Sequence, residues 1–152
     1  MKFYQADENA HLMVCGDFNA RIGELNVLID DCNDLLGDGV CGDNTRKSQD
    51  KKTNQFGKIL IDFCSIFHCI PLNGNHSGDF GGCFTFISDQ GNSVIDYCVV
   101  SSEFVSKSYM HFGDGSRLET SHMPLNISVK SKQSEPEKGV ERTIREIVTN
   151  IK

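Results

Sequence analysis

Four consecutive apolar residues, Leu12-Met13-Val14-Cys15, run directly into Gly16-Asp17-Phe18-Asn19. An unbroken apolar run bounded by glycine predicts a fully buried strand. Residues 23–53 are largely polar and predict a long surface loop, a feature that in compact domains is usually functional or disordered. Asn54 then precedes Phe56, Ile59, Leu60, Phe63, Cys64 and Phe67, whose helical spacing predicts an amphipathic helix capped by Asn54. A short strand is expected at 69–72, followed by a glycine-rich turn at 74–82. Two apolar runs, 83–87 and 93–100, flank Ser88-Asp89-Gln90-Gly91-Asn92 and predict a hairpin with a five-residue loop. Short strands follow at 109–112 and at Leu125–Val129, the second alternating apolar and polar as a half-exposed strand does. Residues 131–152 divide into a polar linker and a short amphipathic helix with Ile144, Ile147, Val148 and Ile151 on one side. Strand–helix–strand order marks the class as α/β.

Composition narrows the picture without naming a function. The 152 residues suffice for one domain with a core, and 38% hydrophobic content with 10 Phe is globular. No window approaches the roughly 18 apolar residues of a membrane span, and Asp7 and Glu8 interrupt the start where a secretory signal has its apolar centre. The seven cysteines, Cys15, Cys32, Cys41, Cys64, Cys69, Cys83 and Cys98, are odd in number and contain no CxxC pair. Cys15, Cys64 and Cys98 sit in apolar runs, so the expectation is buried thiols in an intracellular, reducing compartment, nucleus and cytoplasm being equally compatible. The net charge of −6 is concentrated in residues 1–44, while residues 45–152 are almost balanced. Such acidity disfavours generic DNA binding, yet it suits carboxylates that bridge to phosphate through a divalent cation. The cluster Arg46, Lys47, Lys51 and Lys52 reads first as a solvated charge run.

Candidate chemistry begins at the end of the first strand. Asp17 and Asn19, two positions apart on an extended backbone, point to the same side. A carboxylate and a carboxamide so placed suit a phosphate ester, one taking a proton from water and the other donating to phosphoryl oxygens. Taken alone, the tetrapeptide reads first as an ordinary turn after a strand. Asp96 interrupts Val94-Ile95-Asp96-Tyr97-Cys98-Val99-Val100, and a buried carboxylate needs a partner. His122, just before Met123-Pro124-Leu125, is the best candidate, although a partly exposed histidine with no such role is the commoner case.

Five motifs then fall in order: Gly16-Asp17-Phe18-Asn19-Ala20; Asn54-x-x-Gly57-x-x-Leu60 with Leu72-Asn73-Gly74; Phe84-Thr85-Phe86; Ser93-Val94-Ile95-Asp96-Tyr97; and Ser121-His122-Met123-Pro124-Leu125. Together they resemble the endonuclease/exonuclease/phosphatase family over about residues 10–130. Ser48-Gln49-Asp50-Lys51-Lys52-x-Asn54 is most similar to the endonuclease domain of non-LTR retrotransposons. The resemblance implies a two-sheet α/β sandwich of the deoxyribonuclease I-like type and Mg²⁺-assisted hydrolysis of DNA phosphodiesters. It implies that Asp17 orients or deprotonates water and Asn19 binds the scissile phosphate. Asp96 would pair with His122, whose imidazole contacts a phosphoryl oxygen, while Thr85, Ser93 and Ser121 support the site.

Two departures qualify that reading. Thr120-Ser121-His122 stands where the family usually has Ser-Asp-His, so the number of metal sites is open. Only eleven residues precede Leu12, and Glu8 lies too near the strand to serve as the family's metal-binding Glu. The expectation is therefore the C-terminal half of a sandwich, residues 1–130, weakly active or inactive alone. Its sheet edges and one apolar face would be uncovered. Partners implied are DNA, the complementary N-terminal half and a downstream reverse transcriptase, with no membrane. Alternatives are a non-catalytic remnant or interaction module, and a family phosphatase acting on small phosphoesters.

Overall fold

The computed structural model describes residues 11–27, 45–112 and 120–130, and all structural statements concern these. In chain order they form β1 (Met13–Asp17), α1 (Gln55–Ile66), β2 (Cys69–Pro71), β3 (Phe86–Ser88), β4 (Gly91–Ser93), β5 (Asp96–Ser101), β6 (Ser108–Phe112) and β7 (Leu125–Val129). Single 3₁₀ segments lie at Ser77–Asp79 and Ser102–Lys107. The class is mixed α/β with antiparallel strand pairs. Among the described residues no helix is long and apolar enough to cross a membrane. The expected 131–152 linker and helix, most of the 23–53 loop, and Cys32 and Cys41 lie outside the described residues.

Strand β5 is the centre. It pairs antiparallel with β1 on one side and β2 on the other, so β1 and β2 run parallel to each other across it. Pleating sends alternate residues to opposite faces. Tyr97 and Val99 join Leu60, Cys64 and Cys69 in a core under α1, whereas Cys98 and Val100 join Ile70, Met110, Leu125 and Ile127 under the β6–β7 pair. The sheet is thus a middle layer, with a helix on one face and the antiparallel β6–β7 pair on the other. Leu125 and Ile127 of β7 turn inward while Asn126 and Ser128 are exposed, as its alternation required.

Side chains, as well as strands, hold the loops. Asn54 Oδ1 accepts the Gly57 amide at 2.7 Å, capping α1, and also the Arg21 amide at 3.0 Å; its Nδ2 donates to Asn19 O. One side chain therefore starts the helix and anchors the segment that follows β1. Residues 45–50 alternate exposed and buried, with Arg46, Ser48 and Asp50 inward. This part of the expected surface loop is instead an extended strap. Arg46, far from being solvated, is 2% exposed, donating to Asn73 O at 2.7 Å and to Gly23 O. Gly74 lies where an added Cβ would meet Lys47 O at 1.8 Å, and its φ of +73° is glycine's region.

Other expectations shift once pairing is visible. The apolar run at 12–15 is not fully buried: β1 is an edge strand, and Val14 and Cys15 are exposed. A four-residue run lacks the alternation that would have distinguished an edge from a centre. The hairpin closes more tightly than expected, Ser88 pairing Gly91 around Asp89-Gln90. The predicted 93–100 strand is divided, because the chain leaves β3's partner at Ser93 and enters the central sheet at Asp96. On α1, Gly57, Leu60 and Cys64 are buried, but Phe56, Ile59, Ile66 and Phe67 are more than half exposed.

A Cβ on Gly57 would stand 1.9 Å from Arg21 O, which the Asn54 amide already holds at 2.9 Å. The helical preference of Ala over Gly contributes about 1 kcal/mol, but overpacking against fixed backbone costs roughly 1–3 kcal/mol. Gly57→Ala is expected to destabilise the fold by up to about 2 kcal/mol net, read as a lower urea midpoint. A raised midpoint would show that α1 slides freely over the Arg21 loop.

Candidate functional site

The hydrogen bonds Phe18 N to Ile95 O and Ser101 N to Leu12 O fix the phase of the β1–β5 ladder. Even-numbered β1 residues therefore lie in hydrogen-bonded pairs, and Met13–Val100, Cys15–Cys98 and Asp17–Asp96 in the closer, non-hydrogen-bonded ones. Asp17, the last residue of β1, and Asp96, the first of β5, consequently face each other at one sheet end. Opposed carboxylates in such a pair repel unless a proton or cation lies between them.

His122 arrives from a third segment. Its strap is tied to the chain around β3 by Ile87 N to Ser121 O at 2.8 Å and Met123 N to Thr85 O at 2.7 Å. Its ring lies edge-on to Phe86 with centroids 5.0 Å apart. Nδ1 then stands 3.0 and 3.1 Å from the two Asp96 oxygens. Thr85, fully buried, accepts the Ile95 and Asp96 amides on Oγ1, both at 3.0 Å. It therefore sets the backbone where β5 begins. Ser93 contributes through its carbonyl, which accepts the Thr85 amide, and Ser121 is exposed.

Burial pushes the Asp96 carboxyl above the ordinary aspartate range; Thr85 and His122 pull it back, and Asp17 adds to the rise. A group in that balance gains from a nearby cation. Asp17, Asp96 and His122 each offer a ligand atom, all within 4.8 Å of one another, and can hold a metal ion.

Asn19 departs from the expectation. The backbone is not extended there: φ at Asn19 is +49°, and its own amide donates to Asp17 Oδ1 at 2.8 Å. Strand geometry ends at Asp17, and a turn closed on the Asp17 carboxylate replaces the same-side relation of an extended pair.

Two residues with large roles went unassigned in the sequence. Asn73 is wholly buried; its Nδ2 donates to Asp96 O and its Oδ1 accepts the Cys98 amide, both at 3.1 Å. It extends the β2 edge by imitating a peptide group, directly behind Asp96. Asp50 takes the Arg21 fork at 2.7 and 2.6 Å and also the Val94 and Lys52 amides at 3.1 Å. It joins the strap, the segment after β1 and the entry to β5. The alternation of Arg46, Ser48 and Asp50 was the available signal.

Comparisons with protein-family models, with curated proteins and with solved structures returned no match. The chemistry of this site therefore rests on its own geometry.

Burial alone would push the Asp50 carboxyl up, but the Arg21 fork and the two amides outweigh it and hold it below the ordinary range. Its folded value lying below the unfolded one, Asp50 contributes stability in full above roughly pH 4 and loses it as pH falls through the folded value. Asp50→Asn is expected to cost about 2–3 kcal/mol near neutral pH and to flatten the acid limb of a urea-midpoint profile. An unaltered acid limb would remove Asp50 from that role. For Asp96 the sign reverses. Its raised folded value means that its contribution is present below the unfolded value and lost as pH rises through the folded one. Asp96→Asn is expected to be no less stable than the parent at pH 7 in thermal unfolding. A loss of several degrees would show that the His122 pairing outweighs the burial.

Proposed function

We propose that this chain is an endonuclease module of the endonuclease/exonuclease/phosphatase family, of retrotransposon type, acting on DNA phosphodiesters with Mg²⁺. On this reading its architecture is an incomplete two-sheet sandwich of the deoxyribonuclease I-like kind. The observation that carries the proposal is the convergence of Asp17, Asp96 and His122, from three separate segments, within 4.8 Å. The same residues sit in the ordered motifs that resemble that family.

The donor set suits a hard cation in part. Two carboxylates supply the oxygen ligands that Mg²⁺ prefers. Bound there, Mg²⁺ would polarise a phosphoryl oxygen. The chain's own groups have separable tasks. Asp17, exposed, can accept a proton from attacking water. Asp96 accepts from Nδ1–H and so sets the ring's orientation, turning Nε2 to the substrate, where it donates to a phosphoryl oxygen in the imidazolium form. Asn19 adds a carboxamide donor at the turn. Thr85 keeps Asp96 in register with His122.

Two carboxylates suffice for Mg²⁺ when water and phosphate oxygens complete its octahedron, but the cluster among the described residues lacks the Glu that the family resemblance implies. On this reading the chain by itself is weakly active or inactive, and strong activity requires a complementary half that brings that ligand. A reverse transcriptase in the same parent polypeptide would be its functional companion. A second reading, an interaction module without catalysis, has its own support. Phe56, Ile59, Ile66 and Phe67 form an exposed apolar row on α1, at 62%, 55%, 70% and 57% exposure.

Purified protein is expected to nick supercoiled plasmid slowly or not at all with Mg²⁺, while millimolar Mg²⁺ raises its thermal midpoint. Strong nicking that Asp17→Ala abolishes would overturn the expected weakness and establish the nuclease. No midpoint shift with Mg²⁺ favours the interaction module. In any preparation that does nick, His122→Ala is expected to lower the rate at least about 10²-fold, the scale of one acid–base or electrostatic group. An unchanged rate would take His122 out of the mechanism.

A further inference from the structure

Two pairs along the same ladder from Asp17–Asp96 stand two cysteines. Cys15 and Cys98 are direct cross-strand partners, and their Sγ atoms are 3.4 Å apart. Non-hydrogen-bonded pairs typically hold their Cα atoms about 4.5 Å apart, inside the roughly 4.4–6.8 Å range of disulfides. Closing to a bond of about 2.0 Å needs a change of side-chain torsion and little movement of backbone. The two thiols also differ in a useful way. Cys15 is exposed on the edge strand, and Cys98 is wholly buried in the central one. The first can meet a reagent from solvent, and the second can be reached only through the first.

We propose that Cys15 and Cys98 are a redox-active dithiol that closes into a cross-strand disulfide on reaction with a low-molecular-weight disulfide such as oxidised glutathione. Cys15 Sγ, having lost its proton to solvent, attacks one oxidant sulfur; the oxidant's S–S bond breaks and one glutathione leaves. Cys98 Sγ then attacks Cys15 Sγ in the mixed disulfide, its proton passing to the departing second glutathione. The protein gives up two electrons and two thiol protons, and the oxidant is reduced to two glutathione molecules. The new bond pins a strand that among the described residues pairs only with β5 to the centre of the sheet, beside its two carboxylates.

The Cys15 hydrogen bond and burial push the Cys98 thiol up, so its attack relies on its fixed position 3.4 Å from Cys15 Sγ.

The test incubates the folded, full chain with oxidised glutathione, labels remaining thiols with iodoacetamide and maps the peptides by mass. The expected product is two hydrogens lighter, has two fewer labelled cysteines, and links the Cys15 and Cys98 peptides until dithiothreitol is added. With Cys98→Ala, Cys15 is expected to retain one glutathionyl group, because nothing resolves the mixed disulfide. With Cys15→Ser, a substitution at an exposed position, Cys98 is expected to stay unmodified. Recovery of Cys15 and Cys98 unlinked from the treated parent, or linkage of either to another cysteine, would overturn the proposal.

Discussion

Strand β5 is hydrogen-bonded along both edges and buried on both faces, and the other elements take their places from it. Its pleat divides the interior into two cores. Tyr97 and Val99 face α1, and Cys98 and Val100 face β6 and β7. Because side chains alternate, a one-residue slip would exchange the two sets and turn Asp96 away from Asp17 and His122. The strand's burial and the site's geometry are therefore the same constraint. The Cys15–Cys98 pair, on the same face as the carboxylates, follows from that register too.

Burying polar groups along this strand has a cost that the surrounding structure offsets with specific partners. Asn73 satisfies a carbonyl and an amide of β5 beyond the reach of β2. Asp50 combines an ion pair with two amides and emerges more acidic than an ordinary aspartate. Asp96 has fewer compensations and emerges less acidic. Both carboxylates are buried, but their surroundings move them in opposite directions. The contrast divides an architectural carboxylate from one left with unfilled capacity for a cation.

Legibility in the sequence followed the range of the interactions concerned. Helix α1 was readable because its cap, Asn54, and its apolar positions are local, and β7 because alternation over five residues is local. The exposure of Phe56 and Ile59 was not, since a helical stripe shows which residues share a side and not how much of that side is covered. Arg46 misled for a related reason. Composition placed it in a charged run, but its inward position depends on carbonyls of Gly23 and Asn73, far away in the chain. Among the site residues, a carboxylate inside an apolar strand signalled that Asp96 needed a partner. That its partner is His122, and that Thr85 holds both ends of the arrangement, required the strap at 121–123 to lie against β3.

The sequence by itself determined the α/β class, the helix and its cap, the final strand, and Asp17, Asp96 and His122 as groups whose chemistry needed explaining. These depend on periodicity, capping and the desolvation of charge, which act over a few residues. Only the tertiary structure decided that β1 is an edge, that Asn19 turns out of the strand, and that Asp17 and Cys15 face Asp96 and Cys98. Those facts depend on ladder register and sheet order, which are set by contacts between residues some eighty positions apart. No local pattern encodes such a pairing, because either neighbour of β5 would have satisfied the same apolar run.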